Sequence, residues 1–262
     1  MLLSATAKSS QARTSIARGP EAPGDTELRR KAAELNRRYR HHSATEVVRA
    51  ALTQVGKTAL VSSFGAESVV LLHLVSLQDR AAPVIFIDTE MLFTETLVYQ
   101  QELTEKLGLN NLQIIRAHDI HSADPEDTLH KTNPDACCSL RKAAPLNAAL
   151  ANFDGWITGR KRFQSGNRAA LEFFEIEDRT KRIKVNPLAH WAPEDVQAYM
   201  DENRLPRHPL VARGYPSIGC APCTSPAKPD EDPRAGRWRT LEKEECGIHL
   251  VNGRMVRIGA TI

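Results

Sequence analysis

Short apolar runs of strand length, alternating with longer helical stretches, set the first limit on how this chain folds. The runs are Thr58–Ser62 (TALVS), Pro83–Asp88 (PVIFID), Leu112–Ile115 (LQII), Asp154–Thr158 (DGWIT) and Arg182–Asn186 (RIKVN). Length and β-branched content suit strands buried in a parallel sheet. Between them lie VVLLHLV, a helix over Thr94–Leu107 closed by Gly108, the helical stretch DACCSLRKAAPLNAAL, and a helix from Pro193 to Asn203 with Pro first and Glu194 and Asp195 in its first turn. Strands alternating with helices call for an α/β fold with a doubly wound, mostly parallel sheet, which binds ligands beyond the carboxyl ends of its strands.

Three segments therefore share one rim. Ser62–Ser68 (SSFGAES) joins the first strand to a helix, the layout of a phosphate-binding loop whose backbone N–H groups converge at a helix N-terminus. A tight turn with no ligand has the same appearance, and no Gly-Lys-Ser/Thr follows to make it a Walker loop. Asp88-Thr89 ends the second strand, where an acid often only caps a helix. Gly159–Arg168 (GRKRFQSGNR) follows the fourth run and carries Arg160, Lys161, Arg162 and Arg168, with Gln164 and Ser165 between them. Guanidinium forks match sulfate and phosphate oxygens, so a basic run placed there reads as an anion clamp.

The cysteines supply the chemistry. Cys137 and Cys138 are adjacent, Cys220 and Cys223 form a C-x-x-C in GYPSIGCAPCT, and Cys246 lies apart in EECGIHL. Four thiolates suit zinc or a 4Fe–4S cluster. Adjacent cysteines on a helix point about 100° apart. Using both on one centre demands distortion, which a large cluster tolerates better than one tetrahedral ion. Lys142 lies about one turn beyond Cys138 and brings a cation to that centre. Cys246 has Arg234, Arg237 and His249 near it in sequence; positive charge lowers a thiol pKa and makes it a nucleophile.

Composition narrows the surroundings. A formal net charge of +3 is too small for a general nucleic-acid surface, and no apolar run reaches membrane-spanning length. Residues 1–24 lack periodicity and are expected to be disordered; they are Ser- and Arg-rich with no acid before Glu21, as in a transit peptide or a flexible extension. Five cysteines without a secretory signal point to a reducing compartment, here the cytoplasm. Ser43-Ala44-Thr45-Glu46 reads as a capping box. The expected organisation is a nucleotide-binding and iron–sulfur domain over 25–228 and a mobile C-terminal segment over 229–262.

SSFGAES, IDT, CCSLRK, GYPSIGCAPCT, RAGRW and ECGIH, in this order, resemble the assimilatory adenylyl-sulfate reductases, a branch of the phosphoadenylyl-sulfate reductase family with an adenine-nucleotide α-hydrolase-like fold. The resemblance spans residues 45 to 250. It implies that adenosine 5′-phosphosulfate is held by Ser62, Ser63, Phe64, Gly65, Asp88, Thr89, Arg160, Arg162, Gln164, Ser165, Arg168, Arg234 and Arg237. It also implies one 4Fe–4S cluster per chain on Cys137, Cys138, Cys220 and Cys223, serving charge and structure and carrying no electrons. Cys246, assisted by His249 and Lys142, would attack the sulfate sulfur, expel AMP and form S-sulfocysteine. Thioredoxin or a glutaredoxin-like reductant would then release sulfite, within sulfate assimilation and cysteine biosynthesis. No nucleic-acid or membrane partner is implied, and a homo-oligomer stays open.

The chain departs from the family in two places: Asp88-Thr89-Glu90-Met91 stands where DTG is common, and RKRFQSGNR where an RRDQS-like form is. Three alternatives remain. One is a reductase for the 3′-phosphorylated nucleotide, or for both. Another is a zinc-stabilised nucleotide-binding module without redox turnover. The last, an ATP-pyrophosphatase-type ligase, would carry SGG-x-DS in its first loop, and Ser62–Ser68 does not.

Overall fold

The computed structural model describes residues 23–164, 168–177 and 180–239. Ser165, Cys246 and His249 lie outside the described residues. Helix α1 (Pro23–Tyr39) begins inside the stretch expected to be disordered, so Pro23 and Gly24 are its first turn. Helix α2 (Ala44–Gln54) starts at the expected capping box: Ser43 Oγ accepts from the Glu46 N–H at 3.3 Å, and Glu46 Oε2 accepts from the Ser43 N–H at 3.1 Å.

Then follow β1 (Thr58–Ser62), α3 (Ser68–Gln78), β2 (Val84–Ile87), α4 (Thr94–Leu107), β3 (Leu112–Ile115), the short turns α5 (Ile120–Ala123) and α6 (Leu129–Thr132), and α7 (Pro134–Cys138). A π-helical turn, Ser139–Ala143, joins α7 to α8 (Ala144–Ala149); β4 (Gly155–Ile157), β5 (Phe174–Glu177), β6 (Arg182–Val185) and α9 (Pro193–Glu202) complete the fold. Gly108 closes α4 with φ 63°, the left-handed cap that glycine adopts at least cost.

The sheet order is β3-β2-β1-β4-β6-β5, parallel except for the hairpin β5–β6. Side chains alternate between two buried faces. Leu60, Val84, Phe86 and Ile157 join the larger core under α2, α3 and α9, while Ala59, Ile85 and Trp156 meet Leu146, Leu150 and Phe153 on the other side. Burial on both faces explains why these strands read as continuous apolar runs. Strand β5 did not stand out in the sequence: FEIE carries two acids and runs antiparallel at an edge. Residues 229–239, expected to be mobile, instead fold back onto the protein, with Trp238 only 4% exposed.

Lys184 on β6 is a buried cation, its ammonium 4.4 Å from the Trp156 ring centroid. Burial first, then the Arg160 charge, pulls its pKa down to about 7 from 10.5. The unfolded chain keeps that proton up to about pH 10.5, so unfolding takes up a proton above pH 7 and stability rises with pH across that window. Urea unfolding should show the parent gaining on the order of 2–4 kcal/mol between pH 7 and pH 10. The Lys184→Met variant should lack that gain; an identical slope in the two proteins would remove Lys184 from the account.

Candidate active site

Strand order reverses between β1 and β4, since β2 and β3 lie on one side and β6 and β5 on the other. A cavity of about 290 Å3 opens beyond the carboxyl ends of these two strands, the place where doubly wound sheets take ligands. Ser62, Ser63 and Gly65 to Ser68 line it from the turn after β1. That turn is held locally: the Phe64 N–H donates to Ser62 Oγ at 3.2 Å and the Gly65 N–H to Ser68 Oγ at 2.9 Å. The N-terminus of α3 thus faces the cavity, a favourable end for an anion. Phe64, expected among the substrate contacts, is not a lining side chain. It is fully buried and sits edge-on to Phe86, with centroids 5.1 Å apart. Its φ of 48° is a left-handed value that this packing holds in place.

At the rim after β2 the pair Asp88-Thr89 divides its duties. Asp88 does not line the cavity; its carboxylate accepts from the Glu90 N–H at 2.9 Å and from Arg116 Nε at 2.9 Å. Thr89 does line it, and its hydroxyl lies 3.2 Å from Cys220 Sγ. Glu90 takes a left-handed φ of 59°, a value glycine adopts at little cost, with its side chain exposed, and it is absent from the cavity wall. It adds no charge to the lining.

The basic loop after β4 is already paired. Arg160 lines the cavity and is held by Glu175 and by Asn186 Oδ1 at 3.0 Å. Lys161 Nζ binds Glu67 Oε2 at 2.8 Å and the Gly159 carbonyl at 3.2 Å. Burial pulls the Lys161 pKa down and the Glu67 carboxylate opposes it. Arg168 donates to Gln164 Oε1, and both line the cavity. Arg162 does not: its Nε donates to the Leu171 carbonyl at 2.8 Å and it faces Glu172.

The C-terminal segment closes the opposite wall. Thr224 pairs with Arg237, the Ser225 N–H donates to the Gly236 carbonyl at 2.8 Å, and the Trp238 N–H to the Cys223 carbonyl at 3.0 Å. A Cβ on Gly236 would lie 2.0 Å from the Ser225 oxygen, so only glycine fits this ribbon. Arg234 and Arg237 are thereby brought to the cavity. Arg237 stacks 4.5 Å over Trp238 and donates to the Ile218 carbonyl at 3.2 Å. A Cβ on Gly219 would meet its guanidinium at 2.2 Å.

Cys137, Cys138, Cys220 and Cys223 form no disulfide among the described residues, and all line one small cleft with Met91, His130, Pro134, Arg141 and Lys142. Lys142 and Cys220 line the large cavity as well, so the two sites share a wall. The π-helical turn starts directly after Cys138, the kind of helix distortion that two adjacent ligands demand. Burial raises the Cys137 thiol pKa, with the Arg141 charge working against it. Among the described residues no three His, Cys, Asp or Glu side chains are grouped to hold a single metal ion. A tetrahedral zinc with bonds of about 2.3 Å requires its sulfurs roughly 4 Å apart. A polynuclear centre binds each thiolate through a different metal atom and accepts a wider ring. Four cysteine sulfurs lining one cleft are a donor set that suits such a centre.

The profile of the phosphoadenosine phosphosulfate reductase domain matches residues 57–226. The adenosine 5′-phosphosulfate reductase of Chelativorans sp. is 46% identical over 233 residues, covering 87% of this chain and 94% of that protein. The chain belongs to the phosphoadenosine phosphosulfate reductase family. Membership makes it an oxidoreductase acting on a sulfur group. The Mesorhizobium japonicum protein of the same name is 48% identical over 224 residues, 84% of this chain and 87% of that one. Among solved structures, the phosphoadenylyl-sulfate reductase of Candida auris, in a phosphate complex, superposes with a TM-score of 0.66 at 28% identity, covering 74% of this chain and 96% of that one. Yeast FAD synthetase, at 16% identity and a TM-score of 0.51, shares the fold alone.

Sequence reasoning did not single out the Glu67–Lys161 pair, nor Arg141 or His130 beside the cysteines. Each sat inside a quoted motif or an irregular stretch, and only the tertiary contact reveals its partner. The strained rim is testable. Glu90→Gly should hold stability level or raise it by up to about 1 kcal/mol, because relief of the left-handed backbone outweighs the added freedom of the unfolded chain. Glu90→Val should lower it by about 1 kcal/mol or more. Urea midpoints of the two variants moving in the same direction would contradict this.

Proposed function

We propose that the chain reduces adenosine 5′-phosphosulfate to sulfite and AMP. The observation that carries this reading is the shared wall: a nucleotide-sized cavity at the switch point and a four-thiol cleft meet at Lys142 and Cys220. Relatives named for that activity, at 46% and 48% identity, support the choice of nucleotide.

In this reading the backbone N–H groups at the start of α3 bind the phosphate, with Ser62, Ser63 and Gly65 shaping the turn, and Thr89 and Gln164 contact the nucleotide. Arg160, Arg168, Arg234 and Arg237 surround the anionic end, with Ser165 of the basic loop; Asp88 and Phe64 hold the rim and the turn in place. The Cys246 thiolate attacks the sulfate sulfur, an S–S bond forms, and the bond from sulfur to the bridging oxygen breaks. AMP leaves with that oxygen and the electron pair. AMP is a good leaving group, so no strong general acid is needed. Cations lower the barrier for one anion attacking another, the role of Lys142 and the arginines, while His249 adds charge beside Cys246. A dithiol reductant of the thioredoxin or glutaredoxin kind then attacks Cys246 Sγ, sulfite departs, and the two electrons come from that dithiol. Cys137, Cys138, Cys220 and Cys223 would hold a 4Fe–4S cluster, which supplies fixed charge and a covalent tie between α7 and the C-x-x-C turn.

Mass spectrometry after mixing with the nucleotide alone tests the central step. A sulfonate-mass adduct should appear on the peptide containing Cys246, vanish on addition of reduced thioredoxin, and be absent in Cys246→Ser. Sulfite release by Cys246→Ser, or a clear rate preference for the 3′-phosphorylated nucleotide, would overturn the proposal.

A further inference from the structure

His130 lines the cysteine cleft, and neither the fold nor the proposed reaction gives it a role. It sits on α6, and the start of that turn is built rigidly. Asp124 Oδ1 accepts from the Thr128 N–H at 2.8 Å and the Leu129 N–H at 3.1 Å, while Asp124 Oδ2 accepts from Arg141 at 3.0 Å. Asp124 is 3% exposed, so this anchor lies inside the protein. The imidazole so positioned lines the cleft with all four thiols. Its Nδ1 is buried and has no hydrogen-bond partner among the described residues.

A buried polar nitrogen is nearly always paired in a native protein. In the neutral ring one nitrogen is a donor and the other an acceptor. The wall around Nδ1 offers thiols, the Met91 thioether, and the cations Arg141 and Lys142. The cations have no acceptor to give, and the side-chain acceptors that line the cleft are sulfurs. Hydrogen bonds to ligand or bridging sulfur withdraw electron density, and they are one of the levers by which a protein sets the properties of such a centre.

We propose that His130 donates its Nδ1–H to a sulfur of the metal–sulfur centre held by Cys137, Cys138, Cys220 and Cys223, acting as a positioning residue that strengthens and protects that centre. This rests on the cluster reading above. No bond is made or broken by it.

The test uses the full-length protein purified anaerobically, with resonance Raman spectra of the iron–sulfur stretching bands recorded in H2O and D2O. Loss of visible absorption in air is followed alongside. Three proteins are compared: the parent, His130→Phe, which keeps a ring without the N–H, and His130→Asn, whose amide N–H stands near the place of Nδ1. The parent bands should shift in D2O; in His130→Phe that shift should shrink, leaving the part owed to other exchangeable groups such as the Thr89 hydroxyl beside Cys220 Sγ, and the chromophore should bleach roughly tenfold faster. His130→Asn should restore both properties at least in part. Identical bands, isotope shifts and bleaching rates in iron-loaded parent and His130→Phe would overturn the role of His130 and leave the cluster reading intact. If His130→Phe is folded by circular dichroism and bleaches faster but keeps the full parental isotope shift, ring packing and not hydrogen bonding is at work, and the inference fails. A parent protein lacking iron and sulfide would overturn both readings.

Discussion

A guanidinium buried to 1% exposure ties the two cavities together. Arg141 sends one nitrogen to the Thr89 carbonyl at 3.0 Å, on the nucleotide rim, and another to Asp124 at 3.0 Å and to Asp127. A buried charge is tolerated only when paired and hydrogen-bonded, and removing one partner typically costs about 3–5 kcal/mol. Asp124 feels the same constraint: burial pushes its carboxyl up, yet the Arg141 charge and two backbone N–H groups hold it below the usual range. One residue thereby ties the rim after the second strand to Asp124, which caps the start of α6, and to the π-helical turn that follows α7. The Thr89 hydroxyl beside Cys220 Sγ closes the circuit from the other side.

The sheet was legible because its central strands obey one rule. Buried on two faces, they must be short and apolar throughout, and β1 and β3 begin and end where the sequence runs do. The capping box at Ser43 and the glycine at 108 are equally local, set by side-chain chemistry within a few residues of chain. Strand β5 escaped because its pairing partner, not its composition, makes it a strand. Glu175 in its middle looks wrong for a sheet until Arg160 and Asn186 are seen holding its carboxylate.

The site was legible by position and less so by side chain. A rim residue on paper faces either into the cavity or away from it, and the sequence does not say which. Asp88 turns to Arg116, Arg162 to the Leu171 carbonyl, and Phe64 into the core, each satisfied by a partner distant in sequence or by packing. The cysteines were easier, since four thiols in a chain with five leave few arrangements. The helix that carries the adjacent pair changes to a π-helical turn directly after Cys138.

In the proposed function, the same pairing bears on how the cavity would take an anion. The basic loop offers several cations in sequence, but Lys161 already faces Glu67, and Arg160 faces Glu175. Counting charges therefore overstates the attraction. What the carboxylates contribute instead is orientation: a guanidinium fixed by Glu175 and Asn186 loses little side-chain freedom when an oxyanion arrives, and a fork held in place discriminates by geometry. The wall nonetheless stays positive, since Lys142, Arg160, Lys161, Arg168, Arg234 and Arg237 outnumber Glu67 and Asp232, and an anion entering it relieves the self-repulsion of these cations.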